Sequence, residues 1–391
     1  MFKRIFLIVC DSMGIGNAID AKEFNDENSN TLKHISDNYK LNITNLTKLG
    51  LGIIDNLSNI IEKPFSLGYC LRLNEISASK DTLTGHWEMM GLNSNTPMKT
   101  FTDEGFPKEF IEEFENRTHR KTIGNIACSG TKILDMYGEH QIRTGDWIVY
   151  TSADSVFQIA ANEDIIPLEE LYNACEIARE MANRPEYRVG RIIARPYKGT
   201  KVGEFVRTSN RHDYALKPFK KTILDALKDN NKDVIAIGKI NDIFSSQGIT
   251  KSIHTVSNLD GMNKTIDLTN QDFNGLVFTN LVDFDSLYGH RRDPIGYGKA
   301  IDEFDKQLAV LISKLKNDDL LMITADHGND PTFKGTDHTR EQVPLLVYSK
   351  QMINHKQLSD MNGFMTIGKT IVENFKIVYN CESDSILDQL V

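Results

Sequence analysis

Leu320-Leu321-Met322-Ile323-Thr324-Ala325-Asp326-His327-Gly328-Asn329-Asp330 joins an apolar run to two side chains able to hold a metal ion. The run is short, apolar but for one β-branched Thr, and bounded by Asn317-Asp318-Asp319 on one side and Gly328-Asn329-Asp330-Pro331 on the other. That pattern predicts a strand buried on both faces, as in a sheet covered by helices. Its carboxyl end delivers Asp326 and His327 into a loop, the place where open α/β sheets build their sites. The expected fold class is α/β.

Working outward, the pattern recurs. Arg4 to Cys10 reads as a second buried strand and stops at Asp11, followed by Ser12-Met13-Gly14-Ile15-Gly16. Ile19 stands where a dinucleotide fingerprint would place its third glycine, so the two glycines read instead as a tight turn allowing close approach to a ligand. Gly275 to Val282 is a third strand, running into Asp285 and then His290; Val234 to Ile237 is a fourth, leading to Lys239. Asp293-Pro294 supplies an N-cap and first helical position, and Tyr297, Ile301, Phe304, Leu308, Leu311 and Leu315 line one face of the helix that follows. Ser66 to Leu73 is strand-like, and Lys80-Asp81-Thr82-Leu83-Thr84-Gly85-His86 opens a helix whose free N–H groups and dipole favour an anion such as a phosphate. Val343 to Tyr348 and Met365 to Phe375 complete the pattern as strand and helix.

Residues 98 to 216 differ in texture, with strands at Asp146–Ala153 and Val189–Tyr197 and an amphipathic helix through Leu168, Leu171, Tyr172, Cys175, Ala178 and Met181. A separate small α/β domain is expected there. Residues 188 to 221 hold ten basic side chains against two acidic ones, in a chain whose formal net charge is −9. So acidic a protein repels nucleic acid and anionic membrane surfaces, and the local basic surplus reads as a pocket for a small phosphorylated molecule. Five scattered cysteines with no paired spacing fit a reducing cytoplasm better than a disulfide framework, and Asp11 ends the first apolar run too early for a leader peptide.

Parallel strand ends share one edge, so Asp11, Asp285, His290, Asp326, His327 and His338 are expected to converge. Carboxylates and imidazoles without thiolates suit divalent Mn, Zn or Mg. Six ligands exceed the needs of one catalytic ion but serve two ions roughly 3.5–4 Å apart, an arrangement suited to phosphoryl transfer. Either water or a side-chain hydroxyl would then attack. Thr82 at its helix start is the leading hydroxyl, with Thr84 and Ser12 behind it.

Taken in order, Asp11 to Gly16, Lys80 to Glu88, Asn280 to Pro294, Thr324 to Asp330 and Gly335 to Arg340 resemble the bacterial phosphopentomutases of the alkaline phosphatase superfamily. The resemblance implies an alkaline-phosphatase-like core with a mostly parallel central sheet flanked by helices, formed by residues 1–97 and 217–391, with a smaller α/β cap inserted over 98–216. It implies interconversion of ribose 1-phosphate and ribose 5-phosphate, and of the deoxyribose pair, through phosphorylated Thr82. One Mn2+, or another divalent ion, would be held by Thr82, Asp11, Asp326 and His327, and a second by Asp285, His290 and His338. Ser152, Asp154, Arg191, Arg207 and Lys239 match substrate-side positions, and glucose 1,6-bisphosphate or a similar bisphosphate would prime the enzyme. The expected partner is a small phosphorylated sugar, with no nucleic acid, membrane or obligate protein partner. The rival readings are a mutase like the cofactor-independent phosphoglycerate mutases, a metal-dependent phosphatase, and a sugar-phosphate-binding protein without activity.

Overall fold

The structure is a computed structural model in which residues 1–60, 65–152 and 155–390 are described. The chain divides into two compact units, Met1–Asn95 with Pro218–Val391, and Thr96–Lys217.

The larger unit is built on a nine-stranded sheet. From one edge its strands run Lys251–Ile253, Asp233–Ile237, Gly275–Leu281, Arg4–Cys10, Asp319–Thr324, Val343–Tyr348, Tyr69–Asn74 and Lys356–Gln357, with Met361–Asn362 also pairing to Tyr69–Asn74. Arg4–Cys10 lies centrally and pairs in parallel with Gly275–Leu281 and Asp319–Thr324, and every residue of these three strands is buried. That burial explains why each reads as an apolar run rather than an alternation. Val343–Tyr348 is antiparallel to both of its neighbours, so it begins at the edge where the parallel strands end. The helix with Pro at its first position spans Pro294–Lys314 and buries Tyr297, Ile301, Phe304, Leu308 and Leu311. Leu315 falls just beyond its end.

Several boundaries differ from the sequence expectation. The strand expected from Ser66 starts at Tyr69. Residues 249 to 263, indistinct in the sequence, hold the short edge strand Lys251–Ile253 and most of the helix Asn258–Leu268, which starts where Ser257 Oγ accepts from the Asp260 N–H. Gly14 makes room for a side chain of the protein itself: a Cβ there would overlap the carboxylate of Glu341.

The smaller unit has its own six-stranded sheet, ordered Thr122–Ala127, Trp147–Thr151, Val156–Asn162, Arg191–Lys198 and Val206–Arg207, with His212–Ala215 also on Arg191–Lys198. Phe106, Phe110, Phe114, Trp147 and Phe157 pack with the Leu168–Met181 helix into a core separate from that of the larger unit.

Candidate metal centre

Asp11 directly follows the central strand, and Asp326 lies two residues past its neighbour; both carboxylates are buried. Ser12, held in the left-handed region at φ 71°, points its N–H at Asp326 Oδ1, 3.0 Å away, and so ties one strand end to the other. Asn280 Nδ2 donates to Asp11 Oδ2 at 2.8 Å. The other two oxygens, Asp11 Oδ1 and Asp326 Oδ2, are buried and accept no hydrogen bond among the described residues. They lie 3.6 and 3.3 Å from His327 Nε2. His327 Nδ1 donates to Gly328 O at 3.0 Å, which leaves the Nε2 lone pair facing both oxygens.

The second cluster is built from loops. Phe284–Gly289 forms one turn of wide π-type helix, and the His290 N–H closes it on Asp285 O at 3.0 Å. This folds His290 back over Asp285, with Nε2 3.1 Å from Oδ2. His338 comes from the loop preceding the antiparallel strand; its Nε2 is 3.5 Å from Asp285 Oδ1 and 3.1 Å from His290 Nε2. Both imidazoles are aimed by backbone carbonyls, His290 Nδ1 donating to Thr336 O at 2.7 Å and His338 Nδ1 to Lys80 O at 2.9 Å. The donor atoms of Asp285, His327 and His338 lie within 4.8 Å of one another, as do those of Asp11, Asp326 and His327. His327 therefore stands between the two groups.

The electrostatics call for cations. Burial, followed by the charges of Asp326 and Asp285, pushes the Asp11 carboxyl well above the usual range. Burial also raises Asp326 and Asp285, but the imidazoles of His327 and His86 outweigh it at Asp326 and those of His338 and His290 outweigh it at Asp285, so both end below their usual value. Buried carboxylate oxygens without donors are costly. Oxygen and imidazole donors with no thiolate match hard or borderline divalent ions, so the residues fit the metal chemistry that their pattern implies.

Thr82 is the first residue of the Thr82–Met89 helix, whose N-cap Asp81 accepts from the Thr84 N–H at 3.1 Å. Its half-buried hydroxyl lies 3.2 Å from His327 Nε2. The competing hydroxyls are committed elsewhere: Thr84 Oγ1 donates to Asp81 Oδ2 at 2.7 Å, and buried Ser12 Oγ pairs with the Tyr297 hydroxyl at 3.1 Å. Gly85 lets the helix approach this closely, since a Cβ there would stand 2.2 Å from Asp326 O.

Lys239 is exposed two residues beyond Asp233–Ile237, near enough for its charge to lower the Asp11 pKa. In the smaller unit, Ser152 is half-buried after Trp147–Thr151, Arg191 is half-buried with Nη1 3.9 Å from Asp213 Oδ2, and Arg207 is exposed. Asp154 lies outside the described residues. Part of the basic stretch is spent locally, Arg211 on Asp213 at 2.7 Å and Lys221 on Asp229 at 2.8 Å.

Sequence reasoning passed over the supports of the site. His86 Nδ1 donates to Thr82 O at 2.9 Å and so only passes Asp326 Oδ2, 3.2 Å away. Arg340 is buried, pairs with Glu75 and Asp20, and donates to Ser79 O, anchoring the segment that leads into Thr82. His34 Nδ1 lies 2.5 Å from the buried carboxylate of Asp330, on the loop after His327. Among these, only the adjacency of Arg340 to His338-Thr339 gave any signal; the rest depend on residues far apart in the chain.

A family model described as the Metalloenzyme superfamily matches residues 3–379. The chain is 54% identical over its full length to a phosphopentomutase of Clostridium tetani and 54% identical to one of Clostridium beijerinckii, in each case covering 99% of the relative. Among solved structures, a protein from Pyrococcus horikoshii superposes with a TM-score of 0.51 at 13% identity, over 98% of this chain and 99% of that one, a likeness of fold. Among the described residues no helix is long and apolar enough to cross a membrane.

Proposed function

We propose that this chain, which belongs to the phosphopentomutase family within the metalloenzyme superfamily, interconverts the 1- and 5-phosphates of ribose and deoxyribose through a phosphorylated Thr82. The observation that carries this reading is the half-buried Thr82 hydroxyl, 3.2 Å from the same His327 Nε2 that faces two buried carboxylate oxygens accepting no hydrogen bond among the described residues.

Thr82, Asp11, Asp326 and His327 would hold one Mn2+ and Asp285, His290 and His338 a second. When bound, two such ions supply a low hydroxyl pKa and stabilise charge on the transferring phosphoryl group. The protein's own part is to present Thr82 at a helix N-terminus, where backbone N–H groups favour phosphoryl oxygens. In the forward half-reaction the Thr82 Oγ–P bond breaks as the free sugar hydroxyl forms its own O–P bond, and the proton that hydroxyl loses balances the one the freed Thr82 oxygen takes up. The product is a sugar bisphosphate. After the sugar reorients, Thr82 Oγ takes the other phosphoryl group and leaves a hydroxyl where that ester stood. Because phosphorylated Thr82 must exist beforehand, glucose 1,6-bisphosphate or a similar bisphosphate would prime the cycle. Ser152, Asp154, Arg191, Arg207 and Lys239 are proposed to hold the sugar and its unreacting phosphate, with guanidinium groups as bidentate partners. The free cysteines suit a reducing cytoplasm.

With Mn2+ and glucose 1,6-bisphosphate, the purified protein should convert ribose 5-phosphate to ribose 1-phosphate and carry phosphate on Thr82 by peptide mass spectrometry. Thr82→Ala should lose about 10^4-fold or more in turnover, as when a nucleophile is removed. Unchanged turnover, or phosphate on another residue, overturns the mechanism. Net release of phosphate without isomerisation makes the protein a phosphatase instead.

A further inference from the structure

Arg292 sits between three loops that carry ligands and is itself no ligand. Its Nη1 donates to Gly289 O at 3.0 Å, on the turn that holds Asp285, and to Asp330 O at 3.0 Å, on the loop after His327. Nε donates to Gly335 O at 2.6 Å and Nη2 to Asp337 O at 3.0 Å, on either side of the carbonyl that aims His290. Nη1 also reaches Asn329 Oδ1 at 2.5 Å, and Asn329 Nδ2 in turn donates to Asp285 Oδ1 at 2.7 Å. The packing leaves little slack: a Cβ on Gly289 would stand 2.9 Å from the Asn329 side chain. Arg292 holds φ at +56°, a conformation disfavoured for its side chain and maintained by these contacts.

From this geometry we infer that Arg292, acting through Asn329, is a positioning residue for the Asp285, His290 and His338 half of the centre and not for the Asp11, Asp326 and His327 half. A planar guanidinium can span several carbonyls at fixed angles, which an ammonium cannot. It ties the turn of Asp285 to two loops that a bridge between Gly328 and Thr339 already joins, and through Asn329 it fixes the carboxylate oxygen that lies 3.5 Å from His338 Nε2. Placing a cation beside a metal site opposes metal binding electrostatically, so its benefit must lie in preorganisation. The inference rests on the two-ion reading above.

The test is equilibrium Mn2+ binding to the full, metal-stripped chain, followed by electron paramagnetic resonance of the free ion. Wild type should bind two ions. Arg292→Lys and Asn329→Ala should each weaken one ion about 10–100-fold, the usual cost of losing a group that orients a ligand, and leave the other unchanged. Adding Asn329→Ala to Asp285→Asn should leave the remaining ion's affinity unaltered, which assigns the weakened site. Should Arg292→Lys lose its fold by circular dichroism, Asn329→Ala decides alone, because it leaves every guanidinium–carbonyl bond in place. Equal weakening of both ions, or of neither, overturns the inference. Fewer than two ions in wild type overturns the two-ion reading itself.

Discussion

The two halves of the proposed centre use the same ligand chemistry on different foundations. Asp11 and Asp326 stand one and two residues beyond paired, fully buried strands, so the sheet's own hydrogen bonds place them. Asp285, His290 and His338 lie four or more residues beyond or before their strands; side chains and carbonyls place them, helped at His338 by the single bridge between Gly328 and Thr339. The first half is thus positioned chiefly by backbone and the second chiefly by a polar network. A network of this kind fails as a unit when one member goes, whereas a strand end depends on the whole sheet.

The largest effects should come from the ligands. Asp326→Asn keeps an oxygen to accept from Ser12 N–H but removes the carboxylate charge, so the fold should persist while turnover falls at least about 1000-fold. Phosphorylation of Thr82 should vanish with it. Asp285→Asn should cost a similar factor in turnover yet still bind one Mn2+ with the wild-type affinity of its first half. Stoichiometry by equilibrium dialysis separates the two variants, and loss of both ions from Asp285→Asn would show that the halves are not independent.

The same contrast explains what could be read in the sequence. A buried parallel strand writes itself as an apolar run, and an aspartate at its end is visible at once, so Asp11 and Asp326 and the sheet around them were legible. Asp285 and His290 were legible only as neighbours of such a run, and His338 only through its short motif. The short strand Lys251–Ile253 is largely exposed and gave no apolar run. Asn280, Asn329 and Arg292 were illegible as supports, and Arg340 showed only through its place beside His338-Thr339, because a polar side chain shows its purpose only through partners tens or hundreds of residues away.

Glu341 tests the network half through pH. This buried carboxylate accepts from Gly16 N at 3.2 Å, Thr31 N at 2.9 Å, Thr31 Oγ1 at 2.7 Å and Thr339 Oγ1 at 2.6 Å, joining the loop after the central strand to the loop of His338. Burial pushes its pKa up to about 7, against the lowering effect of these hydrogen bonds. A carboxyl raised on folding contributes stability while protonated and loses it as pH rises from the unfolded value, near 4.5, through 7. Relative to Glu341→Gln, the wild-type unfolding free energy should fall by roughly 3 kcal/mol between pH 4.5 and pH 8.5. Urea titrations of both proteins at several pH values check this, and a flat difference would mean that the network holds Glu341 ionised throughout.

The smallest effects come from one methyl group placed in each half. In the strand-end half, Gly85→Ala sets a Cβ 2.2 Å from Asp326 O, and that oxygen belongs to backbone held by the sheet, so the helix must move and carry Thr82 with it. Overpacking of this kind costs about 1–3 kcal/mol, and the displaced hydroxyl should slow phosphorylation of Thr82. In the loop-built half, Gly335 has φ +72° but nothing within 4 Å of its missing Cβ, so Gly335→Ala meets no neighbour and costs only the left-handed conformation, about 1–2 kcal/mol. Its carbonyl still accepts from Arg292 Nε, so Mn2+ binding should stay near wild type. Thermal unfolding together with single-turnover phosphorylation separates the two: Gly85→Ala should change both, Gly335→Ala stability alone. If Gly335→Ala instead slowed phosphorylation as much as Gly85→Ala, Thr82 would depend on the loops as much as on the sheet, and the division between the halves would fail.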